Sequence, residues 1–362
     1  MIPTQYLLRR YGWVTVKLSL EILHKKFLNE FCKQMPLDLR YNSQYNKEQI
    51  LGSIVYASVE NVYLETINNE LKNKPNSDSI FYQIKKLEWR QILEVFQKMM
   101  TGNYLKIRRV YRLTGKVKLA IDFHDIPYYG KDKCIFVMRG KEKSGTNKFY
   151  RIISIDIVER GKRFTLAVIP MNTLKSKKRV VEDLVNQLRC IVKIDCILMD
   201  REFQSIEVYK SMWKMKKNWV TPVKKSSKIM RVMDECAKAG VWKTIYRLQC
   251  NRNYIDVRLL IYPTKDGDLV GFFTNMDVEP EWIARTYTER WGIETGYRVK
   301  KEFRAKTCST SFTVRLFFIL MSVILYNFWV SLNVESHILG EKTLTVRIIR
   351  TIFRKIIELN IT

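Results

Sequence analysis

The spacing of apolar and polar positions changes along the chain and divides it into stretches of different predicted structure. Residues 1–116 show mainly helical spacing, and amphipathic helices are predicted over 56–67 and 80–93. A polar stretch separates these two helices, and Ser77 or Asp78 is expected to cap the second. The first third of the chain is therefore predicted to form a helical domain.

From residue 117 the spacing becomes that of buried strands alternating with helices. The predicted order is strand 117–123, β-rich segments 134–138, 149–158 and 163–169, helix 178–190, strand 194–200 and helix 203–216. The first strand carries Asp122 near its end, and the last ends at Asp200. This order, with an acid on each of those two strands, is that of an RNase H-like α/β core, predicted here over 117–216.

The remaining residues are predicted to form an insertion and a helical completion of the core. Residues 217–275 contain three further strands, at 241–249, 254–262 and 268–274, and are interpreted as a β-rich basic insertion. Residues 276–362 are predicted to be helical. The apolar run Leu316–Val330 is 15 residues long, shorter than the roughly 20 that a bilayer core requires. A buried core helix is the better interpretation of that run.

Among the compositional features, the net charge of the chain says most about its partner. Among 362 residues there are 64 Lys and Arg against 36 Asp and Glu, so 64 − 36 gives a net charge of +28. This excess favours a polyanionic partner, with nucleic acid preferred over an anionic membrane. Seven cysteines, an odd number without a CxxC pair, predict a reducing cytoplasm.

Two basic segments are candidates for contact with DNA phosphates. Residues 105–118 contain no acid, and the cations that carry the prediction are Arg108, Arg109 and Arg112. Residues 211–250 contain ten Lys or Arg against Asp234 and Glu235. Tryptophans among them are candidates to stack on unpaired bases. The alternatives are a solvated helix face for the first segment and core tryptophans in the second.

A spaced motif near the C-terminal third suggests a phosphate site. Tyr287, Arg290, Glu294 and Lys301 stand at relative positions 0, 3, 7 and 14, so one continuous helix would present them on a single face. A carboxylate framed by two cations and a phenol suits phosphates around a metal. Ordinary ion pairs on a solvated helix are the alternative.

Three acids, Asp122, Asp200 and Glu294, are candidates for one catalytic and metal-binding cluster. They are 78 and 94 residues apart, so only the fold can bring them together. Clustered carboxylates repel each other, and Mg²⁺, with Mn²⁺ as a substitute, would relieve that repulsion through oxygen ligands. Two such ions would support in-line displacement at phosphorus.

Other residues near these acids leave alternatives open. Asp125 is an alternative to Asp122, although it lies in the turn after the apolar run. His124 is predicted to share a strand face with Asp122. Asp195 is less suitable than Asp200 because it lies at the start of its strand. Glu289 and Glu302 do not share the spacing of the motif around Glu294.

Together, Ala-Ile-Asp122-Phe-His, Leu-Met-Asp200-Arg-Glu-Phe and the Tyr-x2-Arg-x3-Glu-x6-Lys motif resemble the DDE transposases of prokaryotic insertion sequences, of the insertion sequence four type. The resemblance covers about residues 117–333. It implies an RNase H-like catalytic core, Mg²⁺-dependent cleavage at terminal inverted repeats, strand transfer into target DNA, a synaptic homodimer and no membrane partner. The cell compartment it implies is the prokaryotic cytoplasm, at the nucleoid.

The resemblance also implies roles for individual residues. Glu294 would be the third metal ligand, and Tyr287, Arg290 and Lys301 would contact transposon-end phosphates. An aromatic residue of the insertion would stack on a flipped base, and the candidates are Trp219, Trp242, Phe272 and Phe273. A non-catalytic nucleic-acid-binding protein and an inactive transposase relic are the alternatives.

Overall fold

The structure is a computed structural model that describes residues 7–11, 14–18, 20–69, 74–110, 115–131, 134–159, 163–338 and 343–361. The chain folds into two compact units. The first comprises residues 1–113, 128–134 and 296–362, and the second comprises residues 114–127 and 135–295. The predicted division after residue 116 lies close to the start of the second unit, whereas the predicted boundaries at 216 and 275 fall inside it.

The first unit is helical apart from one N-terminal hairpin. Its elements are β1 (Leu7–Tyr11), β2 (Val14–Leu18), α1 (Leu20–Gln34), α2 (Lys47–Glu60), α3 (Ser77–Lys86), α4 (Trp89–Val110), α10 (Phe312–Ile338) and α11 (Val346–Ile361). The buried rings of Phe31, Phe96 and Phe317 contact one another and join α1, α4 and α10. The N-terminal helices therefore share one core with the C-terminal helices.

Helix boundaries in this unit differ from the predicted ones for identifiable local reasons. The helix predicted at 56–67 begins earlier, at Lys47, because Asn46 and Gln49 form a reciprocal capping box. It ends at Glu60, before Asn61 in a left-handed conformation with φ 57°. The helix predicted at 80–93 is two helices, α3 and α4, and Asn76 caps the first in place of Ser77 or Asp78.

Helix α10 contains the apolar run singled out in the sequence. Among the described residues, Phe312–Val334 is a helix long and apolar enough to cross a membrane, and 78% of its most apolar window is buried inside the protein. It packs against α2, α3 and α4. This burial is what a core helix of a folded domain shows.

The second unit is built on one mixed β-sheet. Its strands are β3 (Lys116–Pro127), β4 (Val137–Lys143), β5 (Thr146–Ile157), β6 (Thr165–Pro170), β7 (Lys193–Met199), β8 (Trp219–Pro222), β9 (Lys243–Cys250), β10 (Asn253–Pro263) and β11 (Leu269–Thr274). Its helices are α5 (Lys177–Gln187), α6 (Ile206–Lys214), α7 (Ser227–Lys238), α8 (Pro280–Thr288) and the start of α9 (Trp291–Glu302). The sheet order is β4-β5-β3-β7-β8-β11-β10-β9, with β6 also paired to β5.

Five of these strands form the predicted RNase H-like core. In the order β6-β5-β3-β7-β8, strands β5 and β3 are antiparallel, whereas β3, β7 and β8 are parallel. Helix α5 connects β6 to β7, and helix α6 connects β7 to β8. The predicted α/β fold class is confirmed by this topology.

The segment predicted as a separate insertion, 217–275, needs a correction. Its first strand, β8, pairs in parallel with β7 and is the fifth strand of the core. Strands β11, β10 and β9 then extend the same sheet by antiparallel pairing. The sequence pattern missed β8 because a four-residue buried strand is too short to show periodicity.

Candidate active site

The central strand β3 carries the first candidate acid. Asp122 pairs in register with Ser154 of β5, and its side chain is only 13% exposed. The backbone N–H of Phe123 donates to Asp122 Oδ1 at 2.9 Å. A buried strand therefore holds this carboxylate at a fixed position on one face of the sheet.

The neighbouring parallel strand β7 presents the second acid directly after its last residue. The side chain of Asp200 caps the short 3₁₀ turn Arg201–Phe203, because Oδ1 accepts the N–H of Glu202 at 2.8 Å. Parallel neighbouring strands end at the same edge of a sheet, so Asp122 and Asp200 lie on adjacent strands near that edge. The structure brings these two predicted residues together.

The motif Tyr287–Lys301 is not one continuous helix, which corrects the prediction of a single helix face. Helix α8 ends at Thr288 and α9 begins at Trp291. Across the break, the N–H of Arg290 bonds to the carbonyl of Tyr287 at 3.0 Å, three residues back. A Cβ on Gly292 would lie 2.9 Å from Arg163 Nε and 3.1 Å from the carbonyl oxygen of Val158, so a side chain here would displace these neighbours.

Arg290, at this break, links two of the three predicted acids. Its Nη1 lies 3.3 Å from Asp122 Oδ2, and its Nη2 lies 2.6 Å from Glu294 Oε1. The third guanidinium nitrogen, Nε, is buried and has no hydrogen-bond partner of good geometry among the described residues, with the ring of Tyr287 beside the guanidinium. The planar fork is thus shared between acids from β3 and α9, and one of its donors remains available.

Tyr287 connects helix α8 to the end of β7. Its hydroxyl donates to the carbonyl of Met199 at 3.2 Å, one residue before Asp200, and its ring packs against Phe272. Burial raises the pKa of Tyr287 to about 12, so the phenol remains a hydrogen-bond donor at neutral pH.

Burial and like charge act together on the two aspartates. Burial raises the pKa of Asp122 to about 7, and repulsion from Asp200 and Glu294 adds to this, against the opposing effect of Arg290. Burial also raises the pKa of Asp200 above its ordinary value. A site that resists ionisation of its own carboxylates favours a cation among them.

A second set of charged groups lies on the opposite face of β3. Strand alternation puts Phe123 and Asp125 there. Asp125 accepts two hydrogen bonds from Arg151, at 2.6 Å and 2.7 Å. Arg151 also reaches the carboxylate of Glu202 at 3.4 Å. Lys177, at the start of α5, donates to the backbone carbonyl of Glu202 at 2.6 Å.

Sequence reasoning did not single out Arg151 or Lys177. The pairing of Arg151 with Asp125 depends on the register of β3 and β5, for which the sequence gives no signal. Lys177 does have a signal. Its neighbours Lys178 and Arg179 have acids four residues on, with which they pair, whereas Lys177 has Val181 at that position.

The alternative acids are paired with other residues or lie away from Asp122 and Asp200. Asp125 lies within β3, and not in a turn after it as predicted, because the pairing with β5 extends to Pro127. It is held by Arg151, and Glu289 pairs with Lys118 at 2.8 Å. Asp195 lies five residues before Asp200, about 16 Å along an extended strand. Glu302 belongs to the first unit and pairs with Arg350 at 3.2 Å.

Several predicted DNA contacts lie in the first unit or outside the described residues. Lys301 is exposed on the part of α9 that belongs to the first unit. Arg109 is exposed and Arg108 half-buried in the last turn of α4, and Arg112 lies outside the described residues. Their contacts with DNA stay predictions, as does the half-buried His124 as a neighbour of the metal.

The structure separates the candidate stacking aromatics. Trp219, Phe272 and Phe273 are buried, and Trp219 stacks on Tyr209 with ring centroids 3.9 Å apart. Trp242, before β9, is 38% exposed. Of the four candidates, only Trp242 has a ring accessible to a base.

The side chains at this site fit a divalent cation in their chemistry. Asp122 and Asp200 provide hard carboxylate oxygens on adjacent strands, and burial opposes the charge of both. Within the described part of the chain, no three His, Cys, Asp or Glu side chains are grouped closely enough to hold a metal ion together. Glu294 is instead held by Arg290.

Comparison with known proteins agrees with this geometry. A family model described as the transposase DDE domain matches residues 113–328, more than half of the chain. The chain belongs to the transposase DDE domain family, whose members are DNA-cleaving and DNA-transferring enzymes.

A solved structure with the same general fold is that of the piggyBac transposase, determined by cryo-EM as a synaptic complex with hairpin DNA. The two proteins are 14% identical, with a TM-score of 0.58, over 98% of this chain and 82% of that one. No curated protein matches this sequence. The similarity supports the RNase H-like fold with its helical N-terminal region.

Proposed function

We propose that this protein is a cut-and-paste transposase of the insertion sequence four type. It would cleave DNA at the terminal inverted repeats of its element and join the ends to target DNA, as a homodimer in the prokaryotic cytoplasm. The observation that carries the proposal is the link that Arg290 makes between Asp122 of β3 and Glu294 of α9. The spaced motif and the strand acid thus belong to one site.

In this proposal Asp122, Asp200 and Glu294 hold Mg²⁺, with Mn²⁺ as a substitute. Bound ions supply activation of the attacking hydroxyl and stabilisation of the leaving oxygen. The two strand aspartates need little rearrangement, because the sheet fixes their backbone. Glu294 joins them when Arg290 releases its carboxylate.

Arg290 and Tyr287 orient the DNA. The guanidinium has two N–H groups on carboxylates and an Nε–H that is unpaired among the described residues, and a planar fork matches a phosphate with two parallel hydrogen bonds. Tyr287 holds α8 against the end of β7, and so fixes Arg290 relative to Asp200. Lys301 would extend the phosphate contacts along the transposon end.

The test is a cleavage and strand-transfer assay on a DNA fragment that carries the terminal sequences flanking the gene. The purified protein should give end-cleaved and joined products with Mg²⁺ and none with a chelator. Asp200→Asn should bind the same DNA and yield no product. DNA binding by the wild-type protein without any cleavage would contradict the proposal and indicate a non-catalytic nucleic-acid-binding protein.

A further inference from the structure

The face of the sheet opposite Asp122 contains a half-buried lysine, Lys177, that forms no salt bridge among the described residues, although the charges of Glu202 and Asp200 favour its ammonium form. The ammonium of Lys177 donates to the carbonyl of Glu202 at 2.6 Å and lies 5.5 Å from the centre of the Phe123 ring. Among the described residues, no carboxylate lies within salt-bridge distance of it. An ammonium has three donors, and withdrawing it from water without an anion is unfavourable.

The neighbouring arginine differs from this lysine, because three of its five N–H donors are already bonded to carboxylates. Arg151 donates twice to Asp125 and once to Glu202. Its guanidinium lies 5.0 Å from the centre of the same Phe123 ring. The carboxylates of Asp125 and Glu202 thus pair with Arg151, whereas the hydrogen bond of Lys177 is to a neutral carbonyl.

Glu202 fixes this lysine relative to the candidate active site. Its backbone N–H binds Asp200, its carbonyl binds Lys177, and its carboxylate binds Arg151. The Phe123 ring that both cations approach follows Asp122 directly and stacks on Phe203, with centroids 4.5 Å apart. Lys177 therefore contacts the residue after Asp122 and the second residue after Asp200, and Phe123 lies on the face of β3 opposite Asp122.

Lys224 is a second cation near Lys177 that forms no salt bridge within the described residues. It follows β8 and its side chain is exposed. Burial lowers the pKa of Lys177, Glu202 opposes this, and Lys224 adds to the lowering. The backbone N–H of Lys224 is fixed by the side chain of Gln204 at 2.7 Å. Both lysines are thus anchored on the turn that follows Asp200, an arrangement that suits an anion with several oxygens.

We propose that Lys177 and Lys224 bind a backbone phosphate of the DNA strand next to the phosphate that reacts at Asp122 and Asp200. This inference rests on the proposed function and adds a positioning contact to it. Arg290 would hold the DNA on one face of the sheet edge, and Lys177 on the other. The strand would thus be fixed on both sides of the reacting bond.

The test compares neighbouring lysines of one helix in the full-length protein. Lys177→Ala removes the inward cation, and Lys178→Ala removes an exposed one that pairs with Glu182. Lys177→Met keeps the aliphatic stem against Phe123 and guards against a folding defect, and Lys177→Arg should restore the contact. The measurements are DNA binding against salt and single-turnover cleavage against DNA concentration.

Lys177→Ala and Lys177→Met should reduce cleavage efficiency about tenfold, as expected for one lost charged hydrogen bond. The slope of log K against log salt should flatten by about one unit, and Lys178→Ala should leave both quantities nearly unchanged. Equal effects of the Lys177 and Lys178 variants would overturn the proposal. Because the slope is measured without catalysis, it still decides the matter if the wild-type protein binds DNA but does not cut it.

Cleavage and joining can be scored separately to identify the DNA. A Lys177→Ala defect in end cleavage places the phosphate on the transposon strand. A defect confined to the joining of pre-cleaved ends places it on the target strand and contradicts the assignment beside the cleaved bond.

Discussion

The two faces of strand β3 each carry an aspartate, and the two aspartates are paired with cations in different ways. On one face, Asp122 shares a single arginine with Glu294 and lies close to Asp200, and its pKa is raised to about 7. On the other face, Asp125 receives both arms of Arg151, at 2.6 Å and 2.7 Å. The two aspartates are three residues apart on the same strand.

The difference distinguishes a reactive face from a supporting one. A carboxylate with a full set of partners stabilises the fold and has nothing left for a substrate. Asp122 retains an unrelieved repulsion that a cation would remove. On the supporting face, the ammonium of Lys177 bonds to a backbone carbonyl and forms no salt bridge among the described residues, which suits a phosphate.

The largest effect among substitutions of the cations is expected for Arg290→Lys. Lysine keeps the charge but loses the fork, so it cannot hold Asp122 and Glu294 together or bind a phosphate with two parallel bonds. Misplacement of a reacting group by about 1 Å costs roughly a hundredfold in rate. We expect such a fall in single-turnover cleavage, with little change in melting temperature.

Arg285→Lys is the matched control, because Arg285 is exposed on α8. It should cleave at the wild-type rate. Near-normal cleavage by Arg290→Lys would mean that the arginine forms an ordinary ion pair, and that the two faces do not differ in function.

The next largest effect is expected in the pH dependence of stability, which arises from Asp122 on the reactive face. Because the pKa of Asp122 is about 7 in the folded protein and 3.8 ordinarily, the folded state holds a proton that the unfolded chain has lost between these values. The free energy of unfolding therefore decreases as pH rises through this window and levels off above pH 7.

Asp122→Asn removes this dependence. In a chelator, its melting temperature should exceed that of the wild type by a few degrees at pH 8, and the difference should shrink towards pH 4. Added Mg²⁺ should raise the melting temperature of the wild type more than that of the variant. A constant difference between the two proteins at all pH values would show that Asp122 is ionised throughout.

The smallest effect is expected for cations outside both faces. Arg108→Ala with Arg109→Ala should flatten the slope of log K against log salt by at most about two units, since each phosphate contact contributes about 0.9. The cleavage rate at saturating DNA should not change. An unchanged slope would make this end of α4 a solvated helix face, and a reduced saturating rate would show that loss of charge alone impairs the chemistry.

The sequence was informative where residues act through short, regular spacing. Apolar runs predicted the strands that carry Asp122 and precede Asp200. Only Asp200 follows the end of its strand, because β3 continues past Asp122 to Pro127. The link between Arg290 and Glu294 follows from a separation of four residues, which survives the change from α8 to α9.

Contacts that depend on strand register or tertiary packing could not be predicted from the sequence. Next to the break at Arg290, Gly292 lies close to Val158, which is 134 residues away in the sequence. Burial of Trp219 follows from its place in β8, a strand too short to be recognised. The pairing of Arg151 with Asp125 is set by the register of β3 against β5.

The central claim is that Asp122, and not Asp125, belongs to the reacting face. The most direct measurement is the single-turnover cleavage rate of Asp122→Asn beside that of Asp125→Asn, on the same transposon-end DNA with Mg²⁺. Asp122→Asn should lose at least about a thousandfold, because a metal ligand supports several kcal/mol of transition-state stabilisation. Asp125→Asn should stay within about tenfold of wild type, because it loses a hydrogen bond to Arg151 and no ligand. Comparable rates for the two variants, or a greater loss in Asp125→Asn, would contradict the account.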